Sequence, residues 1–169
     1  MTFIERSIQV DAPAAAVWGV FADFAGVAQW HPYMEGAHLD EGSAEHGIGA
    51  ARICEFGPKM AIRETVRTWD DDGAMTISID FIRGMAPPIR DIVAGVCVTA
   101  TGPTSSTLTL TMRYETKLWV LGMLADHFMV VPQYRAVFGH MLAAAKAYAE
   151  TGAAIEPIAM PGSGRQLAN

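Results

Sequence analysis

Between Met34 and Glu115 the chain repeats one pattern: β-branched and aromatic residues alternate with polar ones in runs of roughly eight to ten, separated by clusters of Gly, Pro and Asp. Side chains of a strand point alternately to its two faces, so each such run buries one face and wets the other. Several in succession pair as an antiparallel sheet. The pattern predicts strands over 34–41, 48–56, 59–69, 74–83, 89–101 and 106–116, with hairpin turns at Asp70-Asp71-Asp72-Gly73 and Gly102-Pro103-Thr104. Phe3 to Val10 supplies a further strand ahead of them.

The segments on either side of this sheet have a helical period. Asp11-Ala12-Pro13 ends the first strand and opens an Ala-rich run, a helix-start signal for Pro13 to Ala22, with Val17, Val20, Phe21 and Phe24 on one face. A second short helical turn over Phe24 to Trp30 precedes His31-Pro32. After Lys117 the stripe Phe128, Val131, Tyr134, Phe138, Leu142, Ala145 predicts a long helix, with Pro132 as its start or a kink and an end at Thr151-Gly152. A chain of 169 residues has room for one domain. We assign it to residues 1–152 and read 153–169, with its prolines and glycines and no apolar period, as a mobile or surface-draped tail. The layout is α+β: a curved antiparallel seven-stranded sheet, two short helices after strand 1, and a long C-terminal helix closing an apolar cavity on the concave face.

Composition is consistent with that cavity. Hydrophobic residues make up 51% and charged residues 18%, below the one quarter or so of a usual soluble domain, and the mean hydropathy is +0.21. The surplus apolar surface needs a large core, an internal pocket or an oligomer contact such as a homodimer. A net charge of −6 argues against nucleic-acid partners, which require clustered Lys and Arg. The uncharged window from Ile92 to Met112 is Thr- and Ser-rich and broken by Gly102-Pro103, so it reads as two strands and not as a transmembrane span. Glu5 and Arg6 interrupt the N-terminus before any signal-like stretch, which makes the cytoplasm the expected compartment.

Candidate chemistry is sparse. Cys54 and Cys97 lie in strand-like runs and read as buried thiols. His38, His46 and His140 have no metal-ligand spacing, no Gly-x-Ser-x-Gly elbow exists, and Gly162-Ser163-Gly164 follows no strand, so neither a metal nor a nucleotide cofactor is expected. Glu64 is the exception, because strand alternation puts it with Ile62 and Val66 on the apolar face. A carboxylate there is either a pocket acid or base, or a structural group satisfied by a neighbouring Arg or Tyr. His31, held extended before Pro32, either donates to a ligand carbonyl or caps a strand. His127 sits on the inner stripe of the closing helix, as a core residue or a ligand contact. Leu110, Met112 and Tyr114 share one strand face, as do Met75, Ile77, Ile79 and Phe81 on another, and the same parity brings Arg83 inward near the mouth. There Arg83 could hold a ligand carboxylate, pair with Glu64, or reach to water. The apolar segment 118–124 is a candidate lid over the cavity or a dimer contact.

Four stretches together resemble the SRPBCC, or START-like, helix-grip superfamily, which includes polyketide cyclase/dehydrase-like proteins and plant abscisic-acid receptors. They are Ile8-Gln9-Val10-Asp11-Ala12-Pro13 with Val17-Trp18, the Trp30-His31-Pro32 step, Arg63-Glu64 through Asp70-Asp71, and the closing helix through Tyr134-Arg135. The resemblance spans roughly residues 3–150 and is nearest to bacterial relatives of the hormone receptors. It implies an inward Glu64, a pocket-facing His31, and a lining that includes Ile92, Met112 and Tyr114. With the residues alternation places beside them, the expected wall takes in Tyr33, Ile62, Phe81, Met85 and Ile89 from the sheet side. Phe128, Val131 and Tyr134 face them from the helix. The two receptor loops are not matched: one is shortened to Gly57-Pro58-Lys59 and the other, Gly84-Met85-Ala86-Pro87-Pro88-Ile89, lacks a His-Arg pair, so hormone-type gating is not expected. The resemblance implies a cofactor-free protein binding an aromatic, polyketide, sterol or lipid-like molecule. As an enzyme it would be a cyclase, dehydratase or isomerase, with Glu64 moving a proton and His31 or Tyr114 stabilising oxyanion charge. The alternatives are a non-catalytic binding module and a chaperone-activator-like interaction module.

Overall fold

A computed structural model describes residues 1–84, 86–116 and 131–158. The elements follow as β1 (Thr2–Val10), α1 (Ala14–Ala22), a short 3-10 turn (Ala25–Gln29), β2 (Gly36–Leu39), β3 (Ala51–Glu55), β4 (Ala61–Asp70), β5 (Ala74–Arg83), β6 (Ile89–Gly102), β7 (Ser105–Thr116) and α2 (Val131–Thr151). The strands form one seven-stranded antiparallel sheet in the order β1-β7-β6-β5-β4-β3-β2, so β2 to β7 run as a meander and β1 closes on β7. This is the expected architecture. The second of the two short helices is reduced to a 3-10 turn of five residues.

Local chemistry accounts for most boundaries. Gly73 closes the β4–β5 hairpin at φ +123°, where a Cβ would lie 2.9 Å from the Val98 carbonyl oxygen. Gly152 ends α2 in the left-handed region, its N–H bonded to the Tyr148 carbonyl at 2.8 Å. β2 and β3 are shorter than the alternation suggests because Gly42, Gly47 and Gly49 all take positive φ and turn the intervening chain into a loop. α1 starts where the Asp-Ala-Pro signal puts it, but Asp11 does not cap it. Its carboxylate pairs with Lys146 of α2 at 3.2 Å, and Pro13 occupies the cap position without a side-chain bond.

Two irregularities alter the simple parity. A bulge between Val66 and Thr68 turns Trp69 inward, where its ring meets Trp18 at 5.1 Å. Between Arg90 and Val93 the β6–β7 register shifts, and Asp91 adopts φ 53°; Ile89 and Ile92, of opposite parity, are thereby both buried. Cys97 also departs from expectation. It lies on the outer face with Thr99 and is exposed, whereas Cys54 is buried as anticipated.

The core fills the concave side. Val10, Val17, Phe21, Leu108, Leu110, Met112, Phe138, Leu142 and Ala145 belong to one buried cluster joining sheet, α1 and α2. Each large apolar side chain so placed contributes about 1.5–3 kcal/mol. Leu108 is fully buried on the inner face of β7, and Leu108→Ala is expected to cost about 3 kcal/mol, read as a lowered urea midpoint with an unchanged slope.

Candidate functional site

Arg52 and Glu64 face each other across β3 and β4, and alternation sends both to the inner face. Each is 5% exposed. Arg52 Nε and Nη2 both lie 2.6 Å from Glu64 Oε2. Its Nη1 donates to the Phe24 carbonyl at 2.6 Å, and the guanidinium lies over the Phe24 ring, 4.1 Å from the centroid. The Cys54 thiol donates to the same Glu64 oxygen at 3.5 Å. Burial above all, then the Glu64 charge, pushes that thiol well above the usual cysteine range, so it stays protonated and unreactive. The cluster ties two strands to the junction between α1 and the 3-10 turn.

The turn ends at the Trp30-His31-Pro32 corner, which lies alongside this pair. His31 is buried, with Trp30, Phe56 and Tyr33 rings at 5.7, 5.8 and 6.0 Å. Its backbone N–H bonds the Val27 carbonyl at 2.9 Å, and its Nδ1 accepts the Tyr33 backbone N–H at 3.2 Å. Burial, and secondarily the charge of Arg52, lower its pKa to about 3. The imidazole is therefore neutral at physiological pH, and the bond accepted at Nδ1 assigns the proton to Nε2. The adjacent Trp30 is 3% exposed, and among the described residues its indole Nε1 has no hydrogen-bond partner.

Three further contacts fasten this corner. The Tyr33 hydroxyl bonds His140 Nδ1 on α2, and burial raises the Tyr33 pKa, keeping the phenol protonated. The Tyr148 hydroxyl donates to Gln29 Oε1 at 2.6 Å. Past α2 the chain drapes back across the corner, with the Ile155 N–H on the Gln29 carbonyl at 2.8 Å and the Ile158 N–H on the Pro32 carbonyl at 2.7 Å.

The other sequence-selected residues are distributed as follows. Ile62, Ile89, Ile92, Met112 and Tyr114 are buried on the concave side, and the Tyr114 ring lies 6.0 Å from that of Tyr134 on α2. Ile79, Phe81, Val131 and Tyr134 are half-buried, unlike Met75, Ile77, Phe138 and Leu142 further along the same elements. Arg83 does not meet Glu64: it is half-exposed and pairs with Glu55 at 3.2 Å, because the β4–β5 register sets it opposite Ala61 while Glu64 faces Ile79. Met85, His127, Phe128 and the segment 118–124 lie outside the described residues. Two recesses are formed by the described residues. A groove of about 440 Å³ on the outer face is lined by Thr68, Thr76, Gly95, Cys97 and Thr111, and a hollow of about 370 Å³ is lined by Phe24, Leu39 and His46. Neither is the expected interior cavity. Among the described residues no group of three His, Cys, Asp or Glu is placed to hold a metal ion, and no helix is long and apolar enough to cross a membrane.

Arg52 is the residue that selection from sequence missed. A signal existed, since Arg52 shares strand parity with Cys54, and a buried Cys54 implies a buried Arg52 one pleat away. The Phe24 carbonyl had no such signal, because its role depends on where the turn ends.

A curved antiparallel sheet gripping a C-terminal helix, with a polar corner at one end of the concave face, defines a helix-grip protein. The chain belongs to the family described as polyketide cyclase/dehydrase and lipid transport, whose profile matches residues 1–150. No protein of curated function matches the sequence. Among solved structures, the fold is shared with an uncharacterised protein of Bacillus thuringiensis, at 18% identity over 88% of this chain and 99% of that one, TM-score 0.69. The Zhui aromatase/cyclase of a Streptomyces species is similar at 18% identity, 88% and 93% coverage and TM-score 0.67. Norcoclaurine synthase from Thalictrum flavum is similar at 17% identity, 89% and 87% coverage and TM-score 0.64.

Two predictions follow from this geometry. Glu64→Gln leaves the buried Arg52 without a countercharge and is expected to cost about 3–5 kcal/mol, whereas Arg52→Met with Glu64→Leu recovers most of it. Urea denaturation of both single variants and the double measures this, and a single variant as stable as the parent would contradict it. For His31, the unfolded chain takes up a proton below the ordinary value near 6.5 that the folded chain refuses down to about 3. Stability therefore falls as pH drops through that window, by up to about 1.4 kcal/mol per unit. His31→Phe is expected to remove that part of the slope, and equal slopes in parent and variant would refute the assignment.

Proposed function

We propose that this protein binds an apolar small molecule of aromatic, polyketide or lipid-like type between the concave face of the sheet and α2, with the Trp30-His31 corner as its polar end. The observation that carries the reading is a set of large apolar side chains facing the core, Ile79, Phe81, Val131 and Tyr134, that are only half-buried, and an apolar concavity with few polar groups is what a small-molecule site requires. The family match supports the same class of ligand.

The chemistry available divides between two groups. Glu64, engaged by two Arg52 N–H groups and the Cys54 thiol on one oxygen, works as an anchor that positions Arg52 beside the His31 corner. His31, neutral with Nε2–H, is suited to polarise a ligand carbonyl or stabilise an enolate, so a cyclase or dehydratase activity would run through it.

Native mass spectrometry after purification, followed by calorimetric titration with bicyclic and tricyclic aromatic compounds, tests the reading. The expected result is saturable uptake of one molecule per chain. Ile79→Trp, which fills the half-buried end of the face, is expected to lower affinity by about tenfold or more while leaving the circular dichroism spectrum unchanged. Absence of saturable binding across the series would overturn it.

A further inference from the structure

The buried polar groups of the described residues can be counted one by one. Apart from the aromatic side chains they are His31, Arg52, Glu64 and Ser106. Ser106 donates to the Ala12 carbonyl at 3.0 Å. Arg52 and Glu64 are bonded to each other, with the remaining guanidinium nitrogen, Nη1, donating to the Phe24 carbonyl and the Cys54 thiol to Glu64. The Tyr33 hydroxyl is taken by His140. One buried N–H remains unpartnered among the described residues, the Trp30 indole Nε1. The adjacent His31, whose Nδ1 already accepts a bond, carries its proton on Nε2. Both are donors, and both are uncharged. A buried N–H left without an acceptor costs about 1–3 kcal/mol, and native interiors rarely leave one so.

Charge gives a second constraint. Among the described residues the one buried cation is neutralised by the one buried carboxylate, at 2.6 Å, and Arg83 at the rim is paired with Glu55. An anionic ligand would meet no unpaired buried cation among the described residues and would bear its own desolvation cost.

We propose that the recognised ligand is an uncharged molecule whose polar feature is a hydrogen-bond acceptor, a carbonyl or ether-type oxygen, received by the Trp30 and His31 N–H groups, and that the same molecule bearing a carboxylate is rejected. This rests on the small-molecule reading above. It adds which chemistry the site selects and assigns Trp30 a specificity role that its place in the core conceals.

Three naphthalene probes of nearly equal size test it: the methyl ketone, the isopropenyl hydrocarbon and the carboxylate, naphthoate. Calorimetry gives their affinities, and nitrogen-15 correlated NMR of the parent chain follows the Trp30 indole N–H, assigned through its own backbone. The ketone is expected to bind about tenfold more tightly than the hydrocarbon, with naphthoate weaker than both. The Trp30 indole proton is expected to move downfield with the ketone alone. Trp30→Phe should erase the ketone's advantage and spare the hydrocarbon's affinity. If that variant does not fold, the indole shift in the parent decides the point. Naphthoate binding tightest, or ketone and hydrocarbon binding equally with the Trp30 resonance unmoved, would overturn the proposal while leaving ligand binding standing. If none of the three binds, the small-molecule reading itself fails and this inference falls with it.

Discussion

The ion pair between Arg52 and Glu64 governs the polar half of this molecule. Two charges removed from water gain little net stability from each other, yet here the guanidinium also bonds the Phe24 carbonyl and lies on the Phe24 ring. One side chain thereby joins β3, β4 and the end of α1. The consequence extends to the next residues of the chain. Burial, and secondarily the positive charge fixed close by, keeps His31 neutral at physiological pH, so the corner presents hydrogen-bond donors without presenting charge. The carboxylate that strand alternation singles out is held by the arginine opposite it.

The corner is also where distant parts of the chain converge. Its backbone is bonded by residues 155–158, its tyrosine by His140, and Gln29 just before it by Tyr148. All of these partners belong to α2 or to the chain immediately after it. The long helix does more than cover the sheet: it fixes the angle at which Trp30 and His31 enter the interior. Such a site, built at a chain corner and supported by a rigid helix, is better ordered than one carried on a free loop.

Much of the architecture was legible because it rests on local rules. Period two predicts the inward faces of β4, β5 and β7, and burial of Glu64, Met112 and Tyr114 follows from it. The Asp-Asp-Asp-Gly turn, the Gly152 helix end and the start of α1 are signals of backbone sterics that need no tertiary context. Legibility fails where the ladder departs from strict alternation. The bulge after Val66 turns Trp69 inward, and the shift near Asp91 lets both Ile89 and Ile92 be buried. Cys97 is exposed although its run resembles that of Cys54, since which parity faces the core is settled by the sheet as a whole.

The sequence by itself determined the order of elements, the antiparallel sheet with its closing helix, and the inward direction of Glu64, because these depend on spacing along the chain. Only the tertiary structure decided what Glu64 does there. Its partner is Arg52 and not Arg83, the unspent buried donor belongs to Trp30, and the tail's first residues are tied to Gln29 and Pro32. Those outcomes turn on distances of a few ångströms between segments far apart in the chain. Pairing a buried charge or satisfying a buried N–H is decided by which group arrives within hydrogen-bond reach, and no periodicity encodes that.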